Sequence, residues 1–163
     1  MKEIIVKMPF PHAGPQKLLT NSEVATMDFV RKRFNAPVPK VLAWDPSPYN
    51  EIGNEYIIME KLTGQHLHAM QEFMDGREAF VKDIAKLCTD MASVPFSQYG
   101  SIYYKEDLDP SLQERPLYAP GVPEDEFSKK FRIGPSVKRQ FYTDGRANLP
   151  IDRGPCTSTR FTL

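Results

Sequence analysis

Fifteen prolines in 163 residues set the tightest bound on what this chain can form. Each proline fixes φ and removes a backbone donor, so it ends a regular element or keeps to its edge. Residues 3–8, EIIVKM, read as a strand stopped by Pro9 and Pro11. The stretch 9–20, PFPHAGPQKLLT, reads as a loop. A helix follows with Thr20 or Asn21 as N-cap. Val24, Met27, Val30 or Arg31, and Phe34 keep helical spacing, and NAPVP ends it. KVLAWD (40–45) is a second strand, PSPYNEIGN a turn and EYIIME (55–60) a third strand, which predicts an antiparallel hairpin.

After KLTG the period becomes helical. Residues 65–74 give a weak helix, and 78–93 a strong one with Phe80, Ile84, Leu87, Cys88 and Met91 on one face. YGSIYY (99–104) reads as a short strand. From 105 to 163 the chain is rich in Pro, Asp, Glu and Arg, without a long apolar period, and 105–130 is expected to be the least ordered part. A small sheet with one helix across it, joined by a linker to a helical part, is an α+β plan.

Composition excludes several classes. Lys plus Arg (21) balances Asp plus Glu (21), so no global field favours nucleic acid or an anionic membrane. No run approaches the ~18 apolar residues of a membrane span. Cys88 and Cys156 lie far apart, and Cys88 falls on the apolar helix face, so buried free thiols in a reducing, intracellular compartment are expected. The start of the chain has neither a signal-peptide core nor an Arg-rich transit segment.

Two features carry candidate chemistry. Lys7 sits on a strand, where its ammonium can serve as a point charge against phosphate oxygens. Such a lysine must be held, and a carboxylate on a facing helix holds it by a charge-assisted hydrogen bond. Glu23 is the candidate partner. The competing structural role is a Thr20-x-x-Glu23 capping box, in which Glu23 only satisfies an orphan helix amide. The second feature is EYIIMEKLTG. A buried strand running into a polar linker leaves backbone groups unpaired. The Glu60 carbonyl and Leu62 amide match the acceptor and donor an adenine ring requires, with Met59 lining the back. The competing role is a plain connection between two layers.

Other residues carry less. His66 and His68, two apart on a helix, diverge, and with His12 they read as surface residues, not metal ligands. Asp152-Arg153-Gly154 lacks the neighbours of a catalytic loop or metal triplet. Ser101, Ser136 and Ser158 sit in no nucleophile elbow, and there is no Gly-rich phosphate loop.

The blocks VKMPFPHAGP, LLTNSEVATMDFVR, PVPKVLAWD, GNEYIIMEKLTG, FSQYGSIYY, IGPSVKRQFYTDGR and IDRGPC resemble the fungal phosphotransferase-enzyme family. That family is similar to aminoglycoside phosphotransferases and choline kinases. The resemblance implies part of a protein-kinase-like fold: antiparallel N-lobe strands with one helix, a hinge and the start of a helical C-lobe. Residues 1–60 would be a partial N-lobe lacking strands 1 and 2, 61–64 the hinge, and 65–163 the start of the C-lobe with an extended tail. It also implies Lys7 paired with Glu23, Met59, Glu60 and Leu62 at the adenine, weak ATP binding and a mitochondrial location. Mg²⁺ is implied for the whole family, with no ligands for it here.

The family's Gly-rich loop, catalytic Asp and metal-binding Asp are absent, and its DRGPW reads DRGPC. The expected function is therefore a fragment of an ATP-dependent phosphotransferase, inactive alone, with an unknown phosphate acceptor. The alternatives are a pseudokinase-like binding or interaction module, and a small α+β interaction domain in which Lys7 and Glu23 are surface charges.

Overall fold

A computed structural model of the protein describes residues 3–10, 13–64 and 77–157. The weak helix expected at 65–74, with His66 and His68, lies outside these residues, as do His12 and Ser158. The fold is mixed α+β, with two small antiparallel sheets and short helices.

The first sheet holds β1 (Ile4–Lys7), β2 (Val41–Asp45) and β3 (Tyr56–Glu60) in the order β1-β3-β2. The expected hairpin is present: β2 runs antiparallel to β3, with a register shift between Val41 and Ala43. Asn50 closes the connecting turn, its amide donating to the carbonyls of Ser47 and Asn54 at 2.8 and 2.9 Å. The other edge of β3 takes β1, with Lys7 opposite Ile57 and Ile5 opposite Met59. Side chains alternate along a strand, so Lys7, Ile57 and Met59 share one face. Ile57 and Met59 are buried there under α1 (Leu18–Phe34).

α1 begins earlier than its cap residues suggest. Lys17 stands just before it at a φ of 63°, and Thr20, Asn21 and Ser22 are buried within the helix, so neither Thr20 nor Asn21 is the N-cap. Glu55, at the entry to β3, replaces a local cap. Its buried carboxylate accepts the Lys17 N–H at 2.9 Å and the Thr20 hydroxyl at 2.7 Å. This acceptor comes from a distant segment and satisfies helix-terminal donors as a cap would. At the other end, Asn35 takes the left-handed conformation, φ 50°, and stops the helix.

The second sheet pairs β4 (Ser101–Tyr104) with β5 (Phe131–Gly134). A side chain at Gly100 would overlap the Gly134 carbonyl, so glycine permits this close approach. Between the two strands lie α3 (Pro110–Gln113) and α4 (Glu126–Lys130). α4 has a complete capping box, Asp125 with Ser128.

The expectation that 105–130 is the least ordered stretch is corrected here. Leu108, Leu117, Tyr118 and Phe127 are buried, and with Phe131 and Ile133 they supply six of the fourteen buried hydrophobic residues among those described. The apolar residues are few, but the fold gathers them around Phe29 of α1, whose ring meets those of Phe96, Phe127 and Phe131 at 5.3–5.8 Å.

The strong helix is present as α2 (Arg77–Ala92), but none of its residues is buried. Cys88 is exposed, which corrects the expected buried thiol. Among the described residues nothing covers the stripe that includes Val81, Ile84 and Met91.

Candidate functional site

Lys7 and Glu23 form an ion pair between β1 and α1, the Lys7 ammonium donating to Glu23 Oε1 across sixteen residues of sequence. Glu23 therefore holds a strand-borne lysine, and the Thr20-x-x-Glu23 capping box does not form, because Thr20 lies inside the helix and turns to Glu55. The pair borders a cavity of about 570 Å³ whose polar lining includes Ser22, Thr26 and Ser101. Lys7 keeps appreciable solvent exposure, so its charge remains available to a ligand anion. Among the described residues Glu23 is the one carboxylate lining that cavity, and Lys7 engages it. A hard divalent cation requires several oxygen ligands, so this donor set does not fit Mg²⁺.

At the far end of β3, Met59 is buried on the face shared with Lys7. The Glu60 backbone N–H donates to the Lys40 carbonyl at 3.0 Å. Its carboxylate accepts the Lys40 N–H at 2.8 Å and Arg31 Nη1 at 2.9 Å. The Lys40 amide and Arg31 hold the Glu60 carboxyl below its ordinary range, against a smaller upward push from burial. Leu62 is exposed, and its amide has no hydrogen-bond partner among the described residues. Three residues of strand, about 10 Å, separate the level of Glu60 from Lys7.

A second cluster was not legible in the sequence. Asp28 of α1 accepts the Lys130 ammonium at 2.9 Å, the Tyr104 hydroxyl at 3.0 Å and the Lys32 ammonium at 2.9 Å. Burial pushes the Asp28 carboxyl up, and the bonds from Lys130, Lys32 and Tyr104 together outweigh it and hold the group below its ordinary value. Lys130 also lies 4.7 Å above the Tyr104 ring, and Trp44 packs against that ring at 5.8 Å. The only sequence signal was the i, i+4 spacing of Asp28 and Lys32; Lys130 comes from 102 residues away.

The triplet Asp152-Arg153-Gly154 is a structural clamp. Arg153 donates to the carbonyls of Arg146 at 2.6 Å and Leu149 at 3.3 Å and stacks over Tyr142, while Asp152 accepts the Gly154 N–H at 2.8 Å. Ser101 accepts the Val137 N–H at 3.1 Å, and Ser136 donates its own N–H to the Arg153 carbonyl at 2.8 Å. Both serve loop packing. No helix among the described residues is long and apolar enough to cross a membrane.

The chain is similar to fungal proteins along nearly its whole length. It is 39% identical, over 95% of its residues, to a subtelomeric hrmA-associated cluster protein of Aspergillus fumigatus. It is 31% identical over 91% of its residues to "Altered inheritance of mitochondria protein 9, mitochondrial" of Candida tropicalis, and 34% identical over 86% to the protein of that name from Meyerozyma guilliermondii. The chain spans 29% of the length of the Aspergillus relative and about a quarter of the yeast ones. No family model matches it, and no solved structure matches it. These findings correct the resemblance to a phosphotransferase-enzyme family: the relatives' names state no kinase or transferase, and neither family models nor solved structures supply one.

Proposed function

We propose that this region is the nucleotide-facing part of a longer protein, a unit that binds ATP weakly and carries no turnover of its own. The observation that supports it most is the Lys7–Glu23 pair. A strand lysine is held by a helix carboxylate beside a cavity with hydroxyl groups on its wall. Met59 lies on the same sheet face, and the Leu62 amide, without a hydrogen-bond partner among the described residues, suits a base edge two residues past Glu60, whose level lies about 10 Å along the strand from Lys7. Under this reading residues 61–64 act as a hinge between a sheet lobe and a second, more helical lobe, and ATP lies across the hinge. With one cation for the phosphates and no fitting metal donors among the described residues, the dissociation constant is expected in the millimolar range, about 4 kcal/mol of binding free energy.

Calorimetric titration of the purified chain with ATP tests this. Millimolar binding that disappears in Lys7→Ala supports the reading. Absence of binding, or equal binding by Lys7→Ala, overturns it. The relatives' mitochondrial names support a mitochondrial location for the parent protein, which a fluorescent fusion of that protein checks.

A second reading is favoured by exposed apolar surface on β1 and α2, where Ile4, Val6, Val81 and Ile84 all face solvent. In that reading the region is an interaction module that packs against another part of the longer protein.

A further inference from the structure

A second cavity, of about 470 Å³, lies between α1, the start of β2 and Tyr104. Its size falls within the range of small-molecule sites. One wall is aromatic: Trp44 leans on Tyr104, with ring centroids 5.8 Å apart. The remaining lining is cationic in excess, with Arg31, Lys32, Lys40 and Lys130 against the carboxylates of Asp28 and Glu106. Three of these cations are committed. Arg31 is held by Glu60 and the Val38 carbonyl, while Lys32 and Lys130 are both held by Asp28.

Lys40 differs. Its backbone N–H and carbonyl are both bonded to Glu60, at 2.8 and 3.0 Å, so its main chain is fixed. Its ammonium has no ion-pair partner among the described residues. The site thus combines a flat apolar wall, a fixed backbone carrying an uncommitted cation, and three further cations already held; the Glu106 carboxylate has no ion-pair partner among the described residues, and the four lining cations outnumber it and Asp28.

We propose that this cavity binds a planar aromatic anion, its ring against Trp44 and its phosphate or carboxylate at Lys40. Stacking on an indole face is favourable for any flat ring, and a charge-assisted hydrogen bond fixes the anionic end. The site is separate from the Lys7 cavity and shares no lining residue with it.

Trp44 is the chain's single tryptophan, so the full chain labelled with ¹⁵N gives one indole N–H resonance that reports on this wall alone. The probe is phenyl phosphate, with phenol and inorganic phosphate as single-feature controls and benzoate to separate phosphate from carboxylate selectivity. Phenyl phosphate or benzoate is expected to move the indole resonance saturably at millimolar concentration, with each control at least about tenfold weaker. Lys40→Ala is expected to weaken the aromatic anion about tenfold and Lys40→Arg to retain it. Lys40 is exposed, so both variants should keep the amide spectrum of the parent. An unmoved indole, a shift equally large with phenol or inorganic phosphate, or full binding by Lys40→Ala overturns the proposal. Loss of ATP binding in Lys7→Ala leaves this result untouched, so the two sites are tested independently.

Discussion

Phe29 meets Phe131 edge to face, with ring centroids 5.3 Å apart and planes at 87°. This contact ties the helix above the first sheet to a strand of the second, and both rings are buried. Phe29→Ala should destabilise the chain by about 3–5 kcal/mol, because it removes the ring that Phe96, Phe127 and Phe131 all touch. Denaturant unfolding followed by far-UV dichroism measures this. A loss below about 1 kcal/mol would mean that the two sheets are not joined through Phe29.

Glu55 substitutes for a local helix cap. Glu55→Ala leaves the buried Thr20 hydroxyl and the Lys17 N–H without their acceptor and should cost about 2–3 kcal/mol. Glu55→Gln retains an acceptor oxygen and should cost markedly less. Equal losses for the two variants in the same unfolding assay would assign the effect to charge and not to capping.

The Asp28 cluster gives a pH dependence of defined sign. Its folded carboxyl lies below the ordinary value, so the native state favours the charged form. The stability this contributes is fully present above the unfolded pKa, about 4, and is lost as pH falls through the lower folded value. Asp28→Asn should cost about 1 kcal/mol at neutral pH, discounted for partial exposure, and the gap to the parent should narrow as pH falls below about 4. A gap that widens in acid would reverse the assignment.

The Lys7–Glu23 pair should matter little for stability. Both side chains are partly solvated, and such pairs contribute about 0.2–1 kcal/mol. A double-mutant cycle of Lys7→Ala and Glu23→Ala should return a coupling in that range. Coupling above about 2 kcal/mol would mark the pair as a structural element, and loss of ATP binding in Lys7→Ala would then no longer be separable from folding.

Much of the first half of the fold was legible because its signals are local. Short apolar runs in EIIVKM and EYIIME, bounded by prolines and polar turns, mark strands, and Asn35 followed by Pro37 marks the helix end. The Lys7–Glu23 pairing was legible only as one of two options, since Glu23 also satisfies a capping pattern. The structure decides between them through Glu55, which lies 35 residues beyond Thr20. Phe29 fell outside the assigned helical stripe although it is the centre of the core. The segment 105–134 reads as polar because its few apolar residues show no period; their partners sit on α1, far away in sequence. The Asp28, Trp44, Tyr104 and Lys130 cluster draws on four separate segments, and no spacing rule reaches across them.

If ATP lies between Lys7 and the Glu60–Leu62 backbone, as we propose, amides at both ends respond to it. Amide chemical-shift mapping of the ¹⁵N-labelled chain during ATP titration tests it most directly. Saturable shifts of the Leu62 and Glu23 amides that vanish in Lys7→Ala are expected, while any shift of the Trp44 indole survives that substitution. Silent Leu62 and Glu23 amides, or shifts there that persist unchanged in Lys7→Ala, would contradict it.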